Sequence, residues 1–186
     1  PGQTMGVGVF TDPMSEIFGL SRLNLTKAYF FGTLGSSLIL PLAGKLLDRI
    51  GVRAMTVFSA LGLAISLILI SYGNLFIRGN SLFLDLTLMS FCFMLIRFFG
   101  QGCLTMTPRV AIGKWFHHHR GRAVAIMSVL TSFGLNYSPR YLNGVLGSYG
   151  FKYSYVFMAL IFGVVMAVIG WVFFRDNPEK CGLLMD

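Results

Sequence analysis

The chain has 186 residues, of which 55% are apolar and only 12% charged, and its mean hydropathy is +0.71. A water-soluble domain carries about 25% charged residues, so this composition excludes one and places the chain in a lipid bilayer. The formal net charge of +8 comes from basic residues strung between hydrophobic stretches instead of gathered on a polar face, which excludes a nucleic-acid-binding protein.

Apolar runs near the ~20 residues that a helix needs to cross ~30 Å of hydrocarbon predict a partial span at 1–11 and complete spans at 25–47, 54–72, 84–106, 122–147 and 152–174. These runs are too long and too uniformly apolar for barrel strands, and open strands would leave backbone groups unpaired in lipid. The expected fold class is therefore all-α, a polytopic membrane helical bundle. The chain begins at Pro1, already inside an apolar segment and with no signal peptide before it, so a fragment is expected.

In the partial first span, Gly2, Gly6 and Gly8 offer a close-packing edge, while Gln3 and Thr4 are polar at membrane depth, which makes Gln3 a candidate substrate contact. Tyr29, Phe30 and Phe31 open the second span where an aromatic belt forms, and they read as interface anchors, as does Trp171 near the end of the last span.

The turn between the second and third spans, GKLLDRIGVR from Gly44 to Arg53, holds the densest charge in the chain. Gly44 is expected to let the helix end approach a neighbour, Gly51 to supply the positive φ that reverses the chain, and Asp48 to receive a cation or a helix N-terminus. One set of alternate loops carries Lys45, Arg49, Arg53, Arg109, Lys114, Arg120, Arg122, Arg175 and Lys180; the other carries Arg22, Lys27, Arg78 and Lys152, with Arg140 near it. The positive-inside rule places the richer side in the cytoplasm. Taken on its own, the stretch is read more simply as a plain positive-inside anchor with a glycine turn.

The fourth span contains Arg97, with about a dozen residues of the span before it and several apolar ones after it. An arginine at that depth costs about 2.5–3.5 kcal/mol on insertion scales and must face protein or a watered cavity. It attracts an anionic substrate, latches to a neighbouring helix, or donates hydrogen bonds to backbone carbonyls in a purely structural role. Gln101, four residues on, shares its face, while Gly100 and Gly102 serve helix packing.

The fifth span carries Asn136, Tyr137, Pro139, Arg140 and Asn143; Asn136, Arg140 and Asn143 recur along one face that either lines a cavity or ends in a snorkelling arginine. Pro139 removes a backbone donor there. Asp48 and Asp85 are the acids nearest the complete spans. Cys92, Cys103 and Cys181 are odd in number and lack metal-ligand spacing, and His117, His118 and His119 are adjacent and read as a loop, so no metal site is expected. No nucleophile set, paired carboxylates or phosphate-cradling glycine loop occurs, so neither a catalytic residue nor a cofactor is expected.

Gly44, Leu46, Asp48, Arg49, Gly51 and Arg53 match G-x-L-x-D-R-x-G-x-R, and the turn thereby resembles the one between the second and third helices of the major facilitator superfamily. RFFGQG, from Arg97 to Gly102, resembles that superfamily's fourth-helix pattern. KWFHHHRGRA resembles the fourth-to-fifth loop of its monocarboxylate and oxalate/formate carriers, and NPEKCGLLMD the stretch after their sixth helix. GQTMGVGVFTDPM followed by GLSR resembles the outer half of their first helix and its exit loop; the three histidines depart from the arginines or other polar residues usual before Arg-Gly.

The resemblance implies the N-terminal six-helix half of a transporter, with the first helix truncated and the C-terminal half absent. It further implies a secondary transporter of small organic anions, monocarboxylates or dicarboxylates, working by alternating access with a proton or counter-anion as coupling species. The expected location is the cell membrane, which is the cytoplasmic membrane in a bacterium. The substrate-binding candidates are Arg97, Gln101, Arg140, Asn136, Asn143 and Gln3; the conformational loop is Gly44, Asp48, Arg49, Gly51 and Arg53. A non-transporting receptor or assembly subunit on the same helices remains an alternative. A membrane-embedded enzyme is the more distant one.

Overall fold

The computed structural model describes residues 3–75, 81–179 and 182, with residues 3–7 described by backbone alone. Arg78, Lys180 and Cys181 lie outside the described residues. Six helices build the bundle: α1 (Gln3–Phe18), α2 (22–50), α3 (52–71), α4 (Leu82–Trp115), α5 (120–149) and α6 (151–173). α2 and α3 are joined at Gly51 (φ 85, ψ 169), and α5 and α6 at Gly150 (φ 77, ψ 176), both in a conformation that side-chain-bearing residues rarely adopt.

α1 does not stop near residue 11 as the apolar run predicts, but continues through Asp12, Pro13 and Glu16 to Phe18. The reason is one-sided burial. Phe10, Met14 and Phe18 recur every four residues and are buried, while Asp12 and Glu16 face outward and Asp12 pairs with Arg22 at 2.8 Å. The Phe10 ring meets Tyr155 edge-on at 4.8 Å and Phe18 meets Phe151 at 5.9 Å, which seats α1 against the start of α6.

Lipid tails are as apolar as leucine, so helices in a bilayer associate through close packing more than through hydrophobic transfer. α2 and α4 meet at Gly32, where an added Cβ would fall 2.7 Å from the Ser90 carbonyl oxygen and 2.9 Å from the Met94 backbone nitrogen. α3 and α6 meet where Gly163 lies against Ala64 and Gly170 against Thr56. Hydroxyls that would be costly in hydrocarbon are returned to their own helix: Thr33 donates to the Tyr29 carbonyl at 2.8 Å, Thr56 to Val52 at 2.7 Å and Ser59 to Met55 at 2.7 Å. Gly44, expected at a close approach, has nothing within 4 Å of an added Cβ.

The loops sort cleanly to two ends. At one end the Arg53 backbone N–H donates to Asp176 Oδ1 at 3.1 Å and Trp115 Nε1 donates to the Arg175 carbonyl at 3.2 Å. At the other, Ser71 Oγ donates to the Lys152 carbonyl at 3.0 Å and Lys152 Nζ lies 4.2 Å from the centre of the Tyr72 ring. Lys45, Arg49, Lys114, Arg120, Arg122 and Arg175 thus collect at the first, basic end. Single cysteines replacing the exposed Arg49 and Lys152 in a cysteine-free full-length protein are expected to label from opposite sides of the membrane, position 49 from the cytoplasm. Labelling of both from one side would contradict this arrangement.

Candidate functional site

Arg97 stands near the middle of α4, at the first position of a π-helical segment, Arg97–Cys103. A π turn carries one residue more than an α turn and recurs at functional sites, because it breaks the regular backbone ladder. Here the broken ladder is patched by Thr105, whose hydroxyl donates to the Gln101 carbonyl.

The Arg97 guanidinium is half-buried between α2 and α4. Nη1 donates to the Tyr29 hydroxyl at 2.8 Å and to Gln101 Oε1, and its Cζ lies 5.1 Å from the centre of the Tyr29 ring. Phe93 holds that ring edge-on at 5.5 Å. Both hydrogen-bond partners are neutral. Arg22 pairs with Asp12, and among the described residues no carboxylate lies within salt-bridge distance of Arg97.

Tyr29 is thus a partner of the half-buried cation and not the interface anchor that its position at the start of a span suggests. Removing its hydroxyl (Tyr29→Phe) leaves Gln101 as the described partner of Nη1. The expected cost is ~1 kcal/mol, read as a lower unfolding midpoint of the full-length protein in detergent; an unchanged midpoint would mean that the bond contributes nothing.

The other predicted site residues are not brought to Arg97. Asn136, Arg140 and Asn143 are exposed on the outer face of α5, and Asn136 Nδ2 donates to the Ser132 carbonyl of its own helix at 2.9 Å. α5 continues as a helix through Pro139. Gln3 begins α1, and its side chain lies outside the described residues.

At the basic end the structure finds an acid that sequence reasoning passed over. Asp48, expected to receive a cation or a helix N-terminus, is exposed, as is Arg49. It sits at the C-terminal end of α2, where the helix dipole disfavours an anion. The acid at the N-terminus of α3 is Asp176, carried by the segment after α6. The Arg53 guanidinium lies over the Trp171 ring, 4.0 Å from its centre.

The sequence model of the Major Facilitator Superfamily matches residues 2–182, nearly the whole chain. The chain belongs to the Major Facilitator Superfamily. No curated protein and no solved structure matches it. As a member, it is a multi-pass membrane protein of the transporter kind, set in lipid and handling a small molecule.

Inside the helical bundle lies a cavity of about 930 Å³, lined by α1, α3, α4, α5 and α6. From α4 it takes Ile96, Gly100 and Leu104, whereas Arg97 and Gln101 turn to the α2 side. Its polar groups are few: Thr131, the Tyr155 hydroxyl and Ser138, whose buried Oγ has no hydrogen-bond partner among the described residues. Such a lining has no cation to hold a charged solute, so the Arg97 cluster is the candidate site. His117, His118 and His119 form the exposed loop between α4 and α5, and among the described residues no group of three or more His, Cys, Asp or Glu could hold a metal.

Proposed function

We propose that the chain forms one six-helix half of a secondary transporter that carries small organic anions, monocarboxylates or dicarboxylates, by alternating access against a second bundle. The observation that carries this reading is the charge of Arg97, held within a membrane-spanning helix by partners that, among the described residues, are all neutral. The Tyr29 and Gln101 oxygens replace part of the hydration lost by the guanidinium but leave its charge uncompensated. A carboxylate leaving water loses hydration of its own, and paired charge-assisted hydrogen bonds to a planar guanidinium offset both losses. A proton or a counter-anion serves as coupling species.

The outer face of α5 supports the second bundle. Ser128, Ser132, Asn136, Arg140 and Asn143 recur at helical spacing and are exposed, a stripe that lipid would tolerate poorly and that protein or a watered cleft would solvate. In this proposal the protein lies in the cell membrane with its basic end in the cytoplasm.

The test is uptake by the full-length protein in lipid vesicles, using small anionic, zwitterionic, cationic and neutral solutes of matched size. Saturable uptake restricted to carboxylates supports the proposal. Saturable uptake of cations or neutral solutes with carboxylates ignored would overturn the substrate class, and no flux of any solute would favour a receptor or assembly subunit.

A further inference from the structure

The segment that leaves α6 does not depart from the bundle at the end of the helix. Phe174 is extended (φ −75, ψ 137) and packs on the cluster formed by Ala43, Leu47, Val52, Met55 and Cys103. The Arg175 carbonyl accepts from Trp115 Nε1 at the end of α4, and its guanidinium donates back to the Val172 and Phe174 carbonyls at 3.1 and 3.2 Å. Asp176 then reaches the first turn of α3, and Pro178 is buried. Residues 174–178 form a strap across the ends of α2, α3, α4 and α6.

The strap and the α2–α3 turn fit each other at one residue. A methyl group at Gly51 would overlap the Asp176 carboxylate, coming within 2.6 Å of its Cγ. Gly51 therefore answers two demands, a positive φ of 85° and room for an acid carried 123 residues from Arg53. The Asp176 carboxylate takes up a backbone donor that the start of α3 leaves unpaired, and its charge suits the positive end of the helix dipole. With the first turn fixed, Arg53 is presented to Trp171, and the turn is tied to α6 by its side chain and to the strap by its backbone.

We infer that Asp176 is a positioning residue for transport: it fixes the α2–α3 turn against the exit of α6, so that the turn and the segment leaving the bundle move as one body. This rests on the transporter reading for its consequence, but its geometry can be measured without any substrate.

The test uses the full-length protein and the variants Asp176→Ala, Asp176→Asn, Gly51→Ala and the double variant Gly51→Ala with Asp176→Ala. Hydrogen exchange at the Arg53 amide is expected to rise about ten-fold in Asp176→Ala, the loss of one good cap, and less in Asp176→Asn, which keeps an acceptor oxygen. Gly51→Ala should raise exchange at least as much as Asp176→Ala, since it also strains the backbone at φ 85°, and the double variant should be little worse than Gly51→Ala, because either change already separates the pair. Spin labels at Lys45 and Lys114 should give a narrow distance distribution in wild type and a broad one in Asp176→Ala. In uptake, kcat should fall several-fold with KM unchanged, with Asp176→Asn in between.

Unchanged exchange in Asp176→Ala, or fully additive effects in the double variant, would overturn the clamp whatever the protein transports. Raised exchange with an unchanged label distribution would overturn the positioning role, as would unchanged kcat and KM. If the wild-type protein moves no solute, the transporter reading fails, while exchange and label distances still decide the clamp.

Discussion

Arg97→Lys lowers carboxylate affinity about ten- to a hundred-fold, the range expected when a charge-assisted hydrogen bond worth ~1.5–3 kcal/mol is lost in a low-dielectric site. Lysine keeps the charge but presents a compact ammonium on a flexible stem in place of the planar fork. In the structure the fork is oriented before any ligand arrives, since Nη1 is held by Tyr29 and Gln101 while Phe93 fixes the Tyr29 ring. An ammonium at that position cannot keep both oxygens and still offer a paired contact. Arg140→Lys, on the exposed outer face of α5, should be mild by comparison. Isothermal titration of a carboxylate into the full-length variants, with folding checked by circular dichroism, measures both. Wild-type affinity in Arg97→Lys would show that Arg97 makes no paired contact with the substrate.

Gly32→Val is expected to be the most destabilising single change in the α2–α4 seam. Its branched side chain would meet the Ser90 carbonyl, the Met94 nitrogen and the Phe93 Cβ, all within 2.9 Å of the first added carbon. Two of those atoms belong to backbone, which cannot step aside as the end of a flexible side chain can. The helices must separate, at a cost of ~1–3 kcal/mol for overpacking and more if the seam opens along its length. Gly44→Val is the control, since nothing lies within 4 Å of its added Cβ. Unfolding in rising fractions of denaturing detergent should show an earlier transition for Gly32→Val and little change for Gly44→Val. Equal midpoints would refute the close seam.

Membrane sequences display some of this plainly and hide the rest for physical reasons. The all-α fold is legible because lipid leaves so few ways to pair backbone groups. Arg97 and Gln101 are legible as a pair because four residues in a helix share a face, and the structure bonds them. Tyr29 was misread because the aromatic-belt rule knows depth along a span but not the helix across the seam, where Arg97 lies 68 residues away. Asp176 was passed over for the same reason: it belongs to a segment beyond the last span, and only the folded chain brings it to Gly51. The first helix was cut short because counting apolar residues treats Asp12 and Glu16 as an end, whereas Phe10, Met14 and Phe18 keep one buried stripe running past them. A four-residue period read across the polar positions would have extended it.

The central claim is that Arg97 is the cation that receives the carboxylate of a transported organic anion. Its most direct test is paired uptake of a small carboxylate and its neutral amide analogue by the full-length protein in vesicles, wild type beside Arg97→Gln, with equal insertion confirmed for both. Wild type should show saturable carboxylate uptake with strong preference over the amide, and Arg97→Gln should lose that preference. Undiminished preference for the carboxylate in Arg97→Gln would contradict the claim.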